Sequence, residues 1–284
     1  MSIRLLLSTQ RSGSHFLKSY IESRFPSVIC SGELLEEPVA FTRQFPTLSS
    51  HPEFPKFWLW YELEAAARNI SVAPDRRIEA FEAYLSKLSA LVKPKDLVID
   101  AKYNSIRSLS GYGDTEYGSH DFTSFITSRQ IPVLHLIRKN TLRVVLSNQL
   151  ARQTGVWHRT TDRSPEEPLP KIRLNPKAVL VDIRYALKLT QDYQSRFAGY
   201  PGYEEIVYED LVRERGFPQT GANLRTLAHF LDKKPSGPSL AAIPFKKTTP
   251  EDPSEVVENW DEVIRTLRAT EFGWMAQTPL LAAA

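Results

Sequence analysis

Hydrophobic residues fall along this chain in two alternating rhythms. Ile3 to Leu7 is a short unbroken apolar run, and it predicts a strand buried on both faces, as at the centre of a parallel sheet. Gln10-Arg11-Ser12-Gly13-Ser14 follows at once, and Phe16, Leu17, Tyr20 and Ile21 then recur at helical spacing. Strand, tight polar loop and helix therefore follow one another within about two dozen residues. Short apolar runs return at Leu97 to Asp100, Pro132 to Ile137 and Glu205 to Tyr208, separated by amphipathic stretches such as Thr141 to Gln153 and Lys177 to Phe197. Short buried strands alternating with helices predict an α/β fold, a central parallel sheet with helices on both faces.

Between Glu37 and Lys95 the rhythm breaks. Prolines stand at 38, 46, 52 and 55, followed by Phe57-Trp58-Leu59-Trp60-Tyr61. A helical pattern then runs from Asp75 to Leu91, with Ile78, Phe81, Leu85 and Leu88 on one face. This region, about residues 37–95, reads as a helical insertion over one edge of the sheet. Residues 159–176, rich in proline and charge, read as a mobile surface loop. The expectation is one domain over residues 1–284, near the upper length for one core.

Composition narrows the function. With 36 Lys+Arg against 33 Asp+Glu, the formal charge is +3 over 284 residues, too weak to argue for nucleic acid and compatible with a local anion site. Hydrophobic residues at 42% and charged residues at 24% exclude disorder, collagen-like repeats and coiled coil. The single Cys30 excludes a disulfide framework or a cysteine-rich metal site, and the six histidines are scattered, so no metal is expected. No apolar run approaches the roughly 18 residues a membrane span needs. The N-terminal run is too short for a signal-peptide core, so a soluble, cytoplasmic protein is expected and the sequon at Asn69 reads as chance.

A loop between a buried strand and a helix start is a ready anion site, because unpaired backbone N–H groups and the helix dipole both favour negative charge. Ser12, Gly13 and Ser14 suit that role, and Arg11 adds a fork matched to phosphate or sulfate. The plain alternative is a capped helix with Arg11 in solvent. Gly-x-x-x-x-Gly-Lys-Ser/Thr is absent, which lowers kinase and ATPase readings. A second candidate lies after the strand ending at Ile137. Arg138 and Ser147 stand nine apart, with a helix start at Asn140 between them, where ligands of open α/β sheets bind.

Here the chain resembles a family. Ser8 to Leu17 is similar to the 5′-phosphosulfate loop of sulfotransferases that use 3′-phosphoadenosine 5′-phosphosulfate (PAPS), and Leu136 to Ser147 to their 3′-phosphate segment. Ser31-Gly-Glu-Leu-Leu35 and Ala151-Arg-Gln-Thr-x-x-Trp157 resemble bacterial carbohydrate sulfotransferases of the trehalose and nodulation-factor type, and Val207-Tyr-Glu-Asp-Leu211 the wider family. The resemblance spans residues 3 to about 275, in the family's order. It implies a P-loop-like scaffold that releases PAP, with Arg11, Ser12, Gly13, Ser14, His15 and Phe16 on the 5′-phosphosulfate and Arg138 and Ser147 on the 3′-phosphate. Lys246-Lys247 falls where relatives carry a basic pair in a segment, here about 240–275, that closes over the cofactor. The family pair is usually Arg, often followed by Gln, whereas Thr248 follows here.

The resemblance also implies roles in transfer. Glu33 matches the proposed base, against the alternative of a surface carboxylate beside Glu36 and Glu37. His15 is the rival base, because a histidine beside the transferred group could take a proton at neutral pH. Lys102 matches a lysine placed to stabilise the moving sulfuryl group. Trp58 and Trp60, with Gln153 and Trp157, are acceptor candidates, although an aromatic stripe such as 57–61 more often belongs to a core. The acceptor would be a carbohydrate, a glycolipid or a similar small molecule, and a homodimer is compatible with the family. Two readings compete: a nucleotide-dependent kinase, for which Asp100 is the one candidate Mg²⁺ ligand, and a non-catalytic PAP or PAPS sensor that needs no base at Glu33.

Overall fold

β1 (Ile3–Ser8) is buried from Arg4 onward, as an apolar strand flanked on both sides must be. It lies at the centre of a five-stranded sheet of order β2-β3-β1-β4-β6, in which each pairing is parallel. In chain order the elements are β1, α1 (Ser14–Arg24), β2 (Val28–Cys30), α2 (Phe57–Ala67), α3 (Arg77–Val92), β3 (Asp96–Lys102), α4 (Tyr103–Leu109) and α5 (Gly118–Ser128). Then come β4 (Val133–Ile137), α6 (Thr141–Thr154), β5 (Arg159–Thr160), α7 (Pro176–Phe197), β6 (Tyr203–Val207), α8 (Tyr208–Arg213), α9 (Ala222–Leu231), β7 (Phe245–Lys246) and α10 (Trp260–Arg268). This computed structural model describes residues 2–36, 54–67, 76–109, 118–157, 159–160, 170–213, 221–237, 245–246, 249–250 and 252–277.

Alternation along the strands sends side chains to two layers. Leu5, Leu7, Leu97, Ile99, Ala101 and Val133 face α2, α3, α4, α5 and α7, packing against Phe57, Phe81, Tyr84, Tyr103 and Phe197. Leu6, Val98, Leu134, Leu136 and Ile206 face α1, α8 and α9, against Leu17, Ile21, Leu211, Leu227 and Phe230. A third cluster joins α6, α7 and α10 through Leu142, Leu146, Ile183, Val263 and Leu267. The expected α/β sheet with helices on both faces is the fold observed. No helix among the described residues is long and apolar enough to cross a membrane.

Two expectations change. Within 37–95, residues 37–53 and 68–75 lie outside the described residues; α2 and α3 pack on a face of the sheet, because their aromatic side chains need burial on both helices. Within 159–176, residues 161–169 lie outside the described residues, but the end is not a mobile surface loop. Ile172 and Leu174 are buried, Ile172 is bridged to Val257, and the Leu174 N–H donates to Asn259 Oδ1 at 3.0 Å.

β1 neighbours β3 on one side and β4 on the other. The chain leaves β1 toward the β2–β3 side and later returns to add β4, so the loops after β1 and β4 meet at a topological switch point. Open α/β sheets bind ligands in the crevice outside the strand ends at such a point.

Candidate active site

The loop after β1 turns through two residues in the left-handed region, Arg11 at φ 63° and Gly13 at φ 97°. Gly13 is required twice over. Its φ disfavours any side chain, and a Cβ there would stand 2.3 Å from the Tyr208 ring. Ser12 is wholly buried and its hydroxyl donates to the Thr9 carbonyl at 2.8 Å, so it braces the loop. α1 then starts at Ser14, with its first N–H groups at the C-terminal edge of the sheet, lacking helical partners as at every helix start.

The two candidate anion segments are joined. Arg11 Nε donates to Ser147 Oγ at 2.8 Å, and Arg11 also donates to the Trp157 carbonyl. Arg138 Nη1 donates to the Arg11 carbonyl at 3.0 Å, and its guanidinium lies 4.8 Å from the centre of the Tyr208 ring. Tyr208 thus forms a wedge between Gly13 and Arg138, with Phe16 against its edge at 6.4 Å. Burial lowers Arg11 to about 10, with Glu33 opposing and Arg138 adding to the shift, and Arg11 stays charged at neutral pH. His15 sits in the first turn of α1, partly exposed.

Beneath the loop runs a line of charged groups. Lys102, at the end of β3, donates to Ser8 Oγ at 2.9 Å and Ser14 Oγ at 2.6 Å, and pairs with Asp100 Oδ1 at 2.9 Å. Because Ser14 Oγ accepts from Lys102, its own proton is left to donate elsewhere. Glu33 Oε1 lies 3.7 Å from Lys102 Nζ. On the other side, Lys18 Nζ lies 2.9 Å from Asp100 Oδ2 and donates to the Ser31 carbonyl at 3.1 Å. Burial pushes the Asp100 carboxyl up, but the Lys102 and Lys18 ammoniums outweigh it and hold it well below the usual carboxylate range. Both oxygens of this Mg²⁺ candidate are therefore taken by lysines.

Glu33 does not follow α1 directly. The strand β2, too short to announce itself, intervenes and places Glu33 past its C-terminal end. The flanking residues hold it there: Leu34 and Leu35 are buried, the Phe57 N–H donates to the Leu34 carbonyl at 2.9 Å, and Trp58 Nε1 donates to the Leu35 carbonyl at 3.0 Å. Trp58 and Trp60 are both buried in the aromatic cluster around Phe57 and Tyr84. The core alternative matches this placement, and sugar stacking does not, because neither ring presents an open face. Trp58 instead fixes the Glu33 segment.

Gln153 is exposed in the last turn of α6, and Trp157, 38% exposed, follows it with its carbonyl bound by Arg11. Lys246 lies on β7, paired antiparallel with Arg159 on β5, and only its backbone is described; Lys247 lies outside the described residues. Of the 240–275 segment, Pro250 and Met275 reach the second anion segment, their carbonyls accepting from Arg143 Nη1 and Asn140 Nδ2 at 3.0 Å each. No group of three or more metal-type ligands occurs among the described residues.

Several contributors escape a reading by motif. Asp100 and Lys102, two apart on a strand, share a face, and Ser14 and Lys18, four apart on a helix, share another, so each half of the ionic line was legible. Glu209 on α8 accepts from the N–H groups of Lys139 and Asn140 at 3.0 and 2.9 Å, setting the start of α6; no local signal marks it.

No protein-family model matches the chain, and no curated protein matches it. Among solved structures it is similar to the sulfotransferase domain from the curacin biosynthetic pathway, at 14% identity over 100% of this chain and 93% of that one, with a TM-score of 0.47. It is also similar to the sulfotransferase domain from the Synechococcus PCC 7002 olefin synthase, at 13% identity over 100% of this chain and 96% of that one, with a TM-score of 0.39. Both are loose likenesses of chain path, and the chemistry of the site rests on the residues described above.

Proposed function

We propose that the chain is a PAPS-dependent sulfotransferase acting on a hydroxyl of a carbohydrate, glycolipid or similar small-molecule acceptor. The observation that carries this reading is the joining of two anion segments, after β1 and after β4, through the Arg11–Ser147 and Arg138–Arg11 hydrogen bonds. A ligand with two separate anionic groups suits that pair better than one with a single phosphate. The donor set fits: a glycine-tight loop at a helix start, two arginines, and a buried lysine beside Ser14. When bound, PAPS supplies the sulfuryl group and departs as PAP once its S–O bond to the phosphate breaks.

The protein's part is positioning and electrostatics, as in phosphoryl transfer. Glu33, held by Leu34 and Leu35, takes the acceptor hydroxyl proton. The Ser14 hydroxyl, its proton freed by accepting from Lys102, would donate to the group in transit while the Lys102 charge acts from beneath it, and Arg11 with the first amides of α1 would balance charge on the departing phosphate. The kinase alternative is disfavoured because its one Mg²⁺ candidate, Asp100, is spent on two lysines.

Calorimetric titration with PAP, in parallel with ATP plus Mg²⁺ and with 5′-AMP, tests the reading. Micromolar PAP binding that weakens sharply in Arg138→Ala is expected; a preference for ATP plus Mg²⁺ overturns it. Glu33→Gln should keep PAP affinity and lower turnover by about 10²–10⁴-fold, whereas a sensor would be indifferent to the change.

A further inference from the structure

Lys18 is a buried cation with no part in the transfer scheme. It projects from α1 one turn after Ser14 and is 6% exposed, and Lys102 is 2% exposed. The single Asp100 carboxylate serves both, one oxygen at 2.9 Å from each ammonium. Burial works against the Lys18 charge, but Asp100 more than compensates, so Lys18 holds its proton more tightly than a free lysine. The buried trio of two lysines and Asp100 carries one net positive charge directly under the start of α1, and the second carboxylate, Glu33, 3.7 Å from Lys102, stands 23% exposed at the crevice, where solvent screens it more. Without Lys18, Asp100 would neutralise Lys102 by itself, and the Glu33 carboxylate beside Lys102 would leave the group net negative.

We propose that Lys18 sets the charge of the anion site: by engaging one oxygen of Asp100, it leaves the charge of Lys102 available to an anion held by the loop. Lys18 is thus a positioning residue that acts through Asp100 and touches no ligand itself. The identity of the anion as PAP rests on the function proposed above; the charge arrangement rests on the geometry alone.

The test is a charge count. Lys18→Met, Lys18→Arg and the double variant Lys18→Met with Asp100→Asn are titrated with inorganic pyrophosphate and with PAP, and their melting temperatures are measured alongside. Lys18→Met should weaken both anions about tenfold, and Lys18→Arg should stay within about threefold of the original chain. The double variant loses one charge of each sign and should recover to within about threefold, even where it melts lower. A purely structural role makes the double variant bind more weakly than Lys18→Met, in step with its melting temperature; that result, or unchanged binding in Lys18→Met, overturns the proposal. If Lys18→Met fails to fold, the double variant and Lys18→Arg still decide: either one binding about tenfold more weakly overturns it. Binding of pyrophosphate but not PAP by the original chain would overturn the PAPS reading and leave the charge count measurable. Binding of neither would overturn both.

Discussion

The two faces of the sheet bury polar groups in opposite ways. On the α1 face, Lys18, Asp100 and Lys102 form a charged line that ends at Ser14 and Glu33, in the crevice. On the opposite face the buried members of the line are neutral and the charge stands at its exposed end: Tyr103 Oη lies 2.5 Å from His135 Nε2, Tyr203 Oη lies 2.6 Å from His135 Nδ1, and Tyr203 donates to the exposed Glu205 carboxylate at 2.7 Å. Since Tyr203 spends its proton on Glu205, the bonding pattern assigns the imidazole proton to Nδ1, and Tyr103 donates to Nε2. Burial lowers His135 to about 3, so it stays uncharged at physiological pH. Satisfying buried polar atoms needs hydrogen bonds only, and the second face does just that. Ions are buried on the first face, where a fixed field can act on a ligand at the strand ends.

The sharpest way to break this comparison is to remove the centre of each line. Asp100→Ala strands two buried ammoniums and should lower stability by about 3–5 kcal/mol in denaturant unfolding. His135→Ala, which leaves neutral hydroxyls rather than charges short of a partner, should fall short of that loss. Equal losses would show that charge makes no difference between the faces.

A pH series sharpens it further. His135 titrates near 3 when folded and near 6.5 when free, so between those values the unfolded chain takes up a proton that the folded chain refuses. Its contribution is whole above 6.5 and is lost as pH falls, reaching about 2 kcal/mol of lost stability at pH 5. Calorimetric unfolding should show that slope, and His135→Gln should flatten it.

The smallest effect concerns Glu36, three residues past Glu33. Burial, then the neighbouring Glu33 carboxylate, raises it from 4.5 to about 7. Between those values the folded chain keeps a proton that the unfolded chain releases, so this contribution is whole below 4.5 and is lost as pH rises through 7. Glu36→Gln should therefore raise the melting temperature at pH 8 by about 2 °C, with a smaller gain at pH 4. A gain independent of pH would separate Glu36 from the charged line.

Much of this was legible in the chain itself. The apolar run Ile3 to Leu7, the polar loop and the helical spacing from Phe16 announced β1, the anion loop and α1. The amphipathic stretches anticipated α6 and α7, the latter starting at Pro176 behind the Asn175 cap. Windows of five to twenty residues carry those signals, because periodicity and capping are local. β2 was missed because three residues hold no period; pairing with β3 makes it a strand. The stripe 57–61 could not be divided between core and acceptor by spacing, since aromatic packing and sugar stacking call for the same side chains.

The sequence by itself determined the alternation of the longer strands and helices, the glycine that the first loop demands, and which residues could carry charge. Only the tertiary structure decided that Arg11 would meet Ser147 across 136 positions and that one carboxylate would answer to two lysines. It also decided that Trp58 would brace the Glu33 segment. The reason is physical: backbone preference acts between neighbours along the chain, whereas the pairing of buried charges depends on which elements the sheet brings side by side.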